Sequence, residues 1–146
     1  MTAGLGDMNV SLAFAAMGSA LGTGAAGMAA IGAWKKAFAR SEAAPFILVA
    51  FVGAPLSQTI YGMILRNAIQ AANLPPESYV YQMIIGLSAG LAMGLSAFMQ
   101  GKAGARAADA LAETKKGFGN YIMVLGIIET VALFVMVFIM TALPGK

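Results

Sequence analysis

Cysteine and histidine are both absent from the chain, and only 10% of its 146 residues are charged. The first absence excludes disulfides and thiol catalysis. The second removes imidazole acid/base chemistry, and together they leave none of the usual zinc sites. The scarcity of charge places the sequence far from ordinary soluble proteins, in which about 25% of residues are charged. With 60% hydrophobic residues, its solvent is expected to be the bilayer. A formal charge of +3 invites a nucleic-acid reading, but the basic residues are few and not interleaved with exposed aromatics, so no nucleic acid is expected. Asp7 is the only charge ahead of the first apolar run. The basic start of a secretory signal is therefore missing, and the run is too long for one, so it is expected to remain in the mature protein.

What is present is four uncharged stretches, at 8–34, 43–65, 78–101 and 117–143. Each is long enough to cross roughly 30 Å of hydrocarbon as a helix. The expected fold is an all-α membrane protein of four transmembrane helices in a single domain, 1–146. Lys35, Lys36 and Arg40 lie in the first connection, and Lys102, Arg106, Lys115 and Lys116 in the third, so seven of the nine basic residues lie there. The second connection, with Pro75-Pro76 as its breaker, has no Lys or Arg; Arg66 just before it can snorkel to headgroups. By the positive-inside rule, loops one and three face the cytoplasm and both termini lie on the other side of the cell (inner) membrane.

The halves resemble each other, which predicts two duplicated helical hairpins, 8–70 and 79–143. Each has a glycine-rich helix, a basic loop and a bulkier helix with a polar centre. Gly86, Gly90 and Gly94 repeat at four-residue spacing, as do Gly18 and Gly22 followed by Ala26 and Ala30. Such small-residue faces allow close backbone approach in lipid, where van der Waals contact must supply helix association. They fit either an intramolecular bundle or the inner wall of a homo-oligomeric ring, with the second and fourth helices outside against lipid.

Glu129 lies twelve residues after Gly117 and fourteen before Leu143, near mid-membrane. Asp7, Glu42, Glu77, Asp109 and Glu113 fall in loops, termini or helix ends, where solvated or loosely paired charge is expected. An ionised group at the depth of Glu129 costs at least about 2.5 kcal/mol. It therefore needs a proton, a metal ion or a protein cation, and no Lys or Arg stands at matching depth. The other polar residues at depth are Ser57, Gln58, Tyr61 and Gln100. Ser57 and Tyr61 share a helix face, and Pro55 removes the N–H that would bond the Phe51 carbonyl, loosening that turn. Hydroxyl, amide and backbone oxygens with one carboxylate suit Na⁺, with Tyr61 donating to Glu129; a divalent ion would need more negative ligands. A proton alone is the alternative cargo.

The run Ala54-Pro55-Leu56-Ser57-Gln58-Thr59-Ile60-Tyr61-Gly62, with Gln100-Gly101-Lys102 and Glu129-Thr130, is similar to Leu-Pro-Gly-Thr-Gln-Gly-Leu-Tyr-Gly, Gln-Gly-Lys and Glu-Thr. These are motifs of the K, or c, proteolipid subunit of V-type rotary ATPases in its duplicated four-helix form. Ser57 stands for threonine, and Ala54 and Leu56 for leucine and glycine. The resemblance implies a non-catalytic, ion-transporting rotor-ring subunit. Its Na⁺ ligands would be the Ala54 carbonyl, Ser57, Gln58, Gln100 and Glu129, with Tyr61 bonded to the carboxylate. It also implies partners: a stator subunit with a membrane arginine, central-stalk subunits on the cytoplasmic side, and lipid. No Gly-x-x-x-x-Gly-Lys-Ser/Thr run is present, so no nucleotide site is expected. A small proton-coupled cation or multidrug transporter, using Glu129 for exchange, is the competing reading.

Overall fold

The computed structural model describes residues 5–144; the expectations for the extreme termini, residues 1–4 and 145–146, lie outside them. Four helices are long and apolar enough to cross a membrane, over Val10–Ala39, Phe46–Ala71, Pro76–Thr114 and Phe118–Ala142, and no strand occurs among the described residues. The second is interrupted by a 3-10 turn at Ala54–Leu56, where Pro55 cannot donate to the helical ladder.

The third helix outruns its expected span. Its α-helical part, Tyr79–Thr114, has 36 residues, about 54 Å of helix. Lys102 and Arg106 therefore lie on helix, and only Lys115 and Lys116 fall in the connection. The cause is local: beyond residue 101 the sequence is dominated by alanine, the best helix former, so nothing ends the helix until Lys115 turns into the left-handed region at φ 58°. The first helix likewise continues past Trp34 to Ala39. The Trp34 indole N–H donates to the Pro45 carbonyl at 2.9 Å and ties down the connection.

Close packing of the first helix on the third organises the bundle. A Cβ at Gly18 would land on the backbone of Gly94, and one at Gly101 on the backbone of Gly22. Both stripes are thus in use within one chain, as the intramolecular alternative required. The second helix packs against the first through Gly62, where a Cβ would come within 2.7 Å of the Ala15 methyl. The fourth rests on the second and third. It buries little more than Leu125, Ala132 and Met136, and it presents Met123, Ile127, Phe134 and Phe138 outward.

Two apolar clusters result. One contains Ala15, Leu65, Met93 and Ala132; the other contains Ala30, Phe51, Ala107 and Leu125. On every helix the polar residues at depth fall between the two.

Asp7 departs from its expected solvated state, being 1% exposed. Its carboxylate accepts the backbone N–H groups of Asn9 (3.1 Å) and Ser11 (2.9 Å), satisfying free donors where the first helix begins and where its dipole favours an anion. The missing side chain of Gly86 makes the room: a Cβ there would strike the Asp7 carboxylate. Arg66 is anchored as well, its Nε donating to Asn9 Oδ1 at 2.7 Å. The other pairs are as loose as expected. Lys36 lies 3.8 Å from Asp109 and 3.9 Å from Glu113, and Lys115 lies 3.8 Å from Glu42, all largely exposed.

Candidate functional site

Glu129 is half-buried on the fourth helix, and both carboxylate oxygens are engaged from other helices. The Tyr61 hydroxyl donates to Oε1 at 2.7 Å. Gln100 Nε2 donates to Oε2 at 3.1 Å and also to the Leu125 carbonyl at 3.0 Å. Because both of those partners can only accept, the Gln100 amide has one possible orientation here, with its oxygen turned inward. That oxygen accepts from Gln58 Nε2 at 2.8 Å. The polarity then passes along the second helix: the Ser57 hydroxyl faces Gln58 Oε1 at 3.2 Å and the Ala54 carbonyl at 3.1 Å. The carboxylate thus sets the direction of every bond in the chain.

Each element is positioned by its own sequence. Pro55 forces the 3-10 turn, and that turn brings the Ala54 carbonyl round to the Ser57 hydroxyl. Ser57 and Tyr61, one helical turn apart, reach the two ends of the network. Gln58 and Gln100 are completely buried, and their amides are paired, as buried amides must be to avoid a large desolvation cost.

All six sequence-identified residues, Ala54, Ser57, Gln58, Tyr61, Gln100 and Glu129, thus lie in one hydrogen-bonded network. Thr130, next to Glu129, does not; it is exposed, and its hydroxyl donates to Ile127 of its own helix at 2.6 Å. One member was missed. Ser96, 6% exposed, lies one turn before Gln100 on the same face, donates to the Ile128 carbonyl at 2.8 Å and approaches Gln58 Nε2 at 3.5 Å. The i, i+4 spacing from Gln100 was the available signal.

Five oxygens, those of Ala54, Ser57, Gln58, Gln100 and Glu129, gather here with a single formal charge among them. Among the described residues there is no group of three or more His, Cys, Asp or Glu side chains that could hold a metal. Neutral oxygens around one carboxylate match a monovalent cation better than a divalent one.

The second hairpin carries Ser96, Gln100 and Glu129, and it is the part of the chain with a family match. Residues 83–142 match the family model of the ATP synthase C-type proteolipid. Members of that family are non-catalytic proteolipids that form rotor rings. The match takes in most of the third helix and all of the fourth, leaving Ala54, Ser57, Gln58 and Tyr61 to the hairpin outside it. No curated protein matches the chain.

Proposed function

We propose that this chain is the ion-carrying K, or c, proteolipid of a V-type ATPase or ATP synthase rotor, in its duplicated four-helix form, and that it moves Na⁺ on Glu129. The observation that carries the reading is the environment of that carboxylate. It is the one acid at membrane depth, it is held on both oxygens by neutral donors, and it is backed by four further oxygens. The family match over the second hairpin supports the coarser part, a ring-forming proteolipid. The sodium preference rests on the hydroxyl, amide and carbonyl oxygens, which a proton would not need.

Loaded with Na⁺, the carboxylate is neutralised and can travel past lipid. When a stator arginine approaches, its charge replaces that of the ion, and the ion leaves. Half-burial of Glu129 gives the exchange a route, since the carboxylate lies at the bundle surface and needs no helix to part. Tyr61 and Gln100 keep it from swinging out between exchanges. Rotation of the ring couples this cycle to ATP hydrolysis or synthesis in a soluble sector, with the basic loops facing the cytoplasm towards the central stalk.

The test is Glu129→Gln in the reconstituted complex. Ion transport is expected to vanish while the ring still assembles and migrates as a large oligomer in mild detergent. Residual transport, or a wild-type chain that migrates only as a dimer, would refute the reading.

A further inference from the structure

Among the described residues, one buried side-chain polar atom lacks a hydrogen-bond partner: the Ser19 hydroxyl oxygen on the first helix. The residue is 2% exposed. The exception is pointed, because Thr23, Ser88 and Thr130 all close onto carbonyls of their own helices at 2.8 Å or less. That is the usual resort of a helical hydroxyl. Leaving a buried hydroxyl unpaired costs free energy, so a partner in another state of the protein is to be sought.

Helix register identifies the partner. The antiparallel first and second helices meet where Gly62 faces Ala15 and where Gly22 faces Pro55. Ser19 lies four residues after Ala15 and three before Gly22, and Gln58 lies four before Gly62 and three after Pro55. Both therefore occupy the same rung, and both are buried. On the third helix, Gly18 meets Gly94 and Gly22 meets Ala97, which brings Ser96 to that level too. Ser19 belongs to the polar layer between the two apolar clusters, on the side of Gln58 away from Glu129.

In the observed arrangement the Gln58 amide spends its best N–H on Gln100 Oε1. A cation held by the oxygens of Gln58, Gln100 and Glu129 changes that. An amide cannot turn its oxygen onto an ion without turning its NH₂ group away, and at this depth no water shell waits to receive it. Two hydroxyl oxygens stand on the inner side: Ser96, whose proton is committed to Ile128 and whose lone pairs are free, and Ser19, which is unpaired. We propose that Ser19 is a positioning residue of the cation site, accepting a hydrogen bond from the Gln58 amide when the glutamine oxygens turn onto the ion. This rests on the sodium reading above.

The experiment titrates sodium against carbodiimide labelling of Glu129 in the full chain, purified as its native oligomer, at fixed neutral pH. Ser19→Ala is expected to raise the half-protecting sodium concentration about tenfold, the equivalent of one ordinary hydrogen bond. Its thermal stability should not fall, because an unpaired hydroxyl has been removed. Ser19→Thr, which keeps the hydroxyl, is expected to stay near the wild-type value. A half-protecting concentration within twofold of wild type in Ser19→Ala, or equal shifts in both variants, overturns the proposal while leaving the sodium site standing. If the wild type itself shows no sodium protection, the sodium reading fails and takes this proposal with it.

Discussion

Replacing Gln100 by leucine, which is close in volume, tests how the network divides its work between holding the ion and holding the bundle. The substitution removes the 3.1 Å bond to Glu129 Oε2 and one candidate ligand oxygen. A hydrogen bond to a charged group contributes about 1.5–3 kcal/mol, so sodium should bind roughly ten- to a hundredfold more weakly. The substitution also strips Gln58 Nε2 of its 2.8 Å acceptor, leaving only the 3.5 Å approach to Ser96. An orphaned buried amide costs about 1–3 kcal/mol. That second loss is present with or without the ion and should lower the melting temperature of the assembled protein. The lost bond to Leu125 matters less, because a helical carbonyl still has its ladder partner. Calorimetric sodium titration and thermal unfolding of the same sample read the two effects separately. Affinity within twofold of wild type would refute the assignment of Gln100 to the site, even if stability fell as expected.

Ser57→Ala removes the hydroxyl that bridges Ala54 and Gln58 and should weaken sodium binding by about three- to tenfold, one ordinary hydrogen bond's worth; unchanged affinity would leave Ser57 a packing residue. Asp7→Ala should cost about 1–2 kcal/mol of stability through loss of its helix-capping bonds, seen as a lower melting temperature with sodium affinity unchanged. Gly101→Ala should abolish assembly, since its Cβ would land on the Gly22 backbone. Gly119→Ala, with open space around it, should be neutral or stabilise by up to about 1 kcal/mol; detergent size-exclusion profiles compare the two. Lys36→Met should change stability by no more than about 1 kcal/mol, because its partners are exposed and surface pairs contribute little.

The four spans were legible because an uncharged run of bilayer length has few other uses. Glu129 was legible because it interrupts one. Gln58, Tyr61 and Gln100 stand out for the same reason, as polar groups at a depth where each must find a partner. Ser96 and Ser19 did not stand out, since small hydroxyl residues on a glycine- and alanine-rich face look like packing until the opposite helix is in place. The burial of Asp7 was hidden for a related reason: it depends on the space that Gly86 leaves on a helix far away in sequence. The ends of the third helix were misjudged because hydropathy marks where lipid can begin, whereas alanine content governs where helix continues.

Whether Glu129 is a sodium-binding carboxylate is tested most directly by its reactivity towards a carbodiimide at constant neutral pH. Labelling of the purified wild-type oligomer is predicted to slow progressively as sodium is raised to millimolar-range concentrations. A labelling rate that ignores sodium and responds to pH alone would contradict this and make Glu129 a proton site.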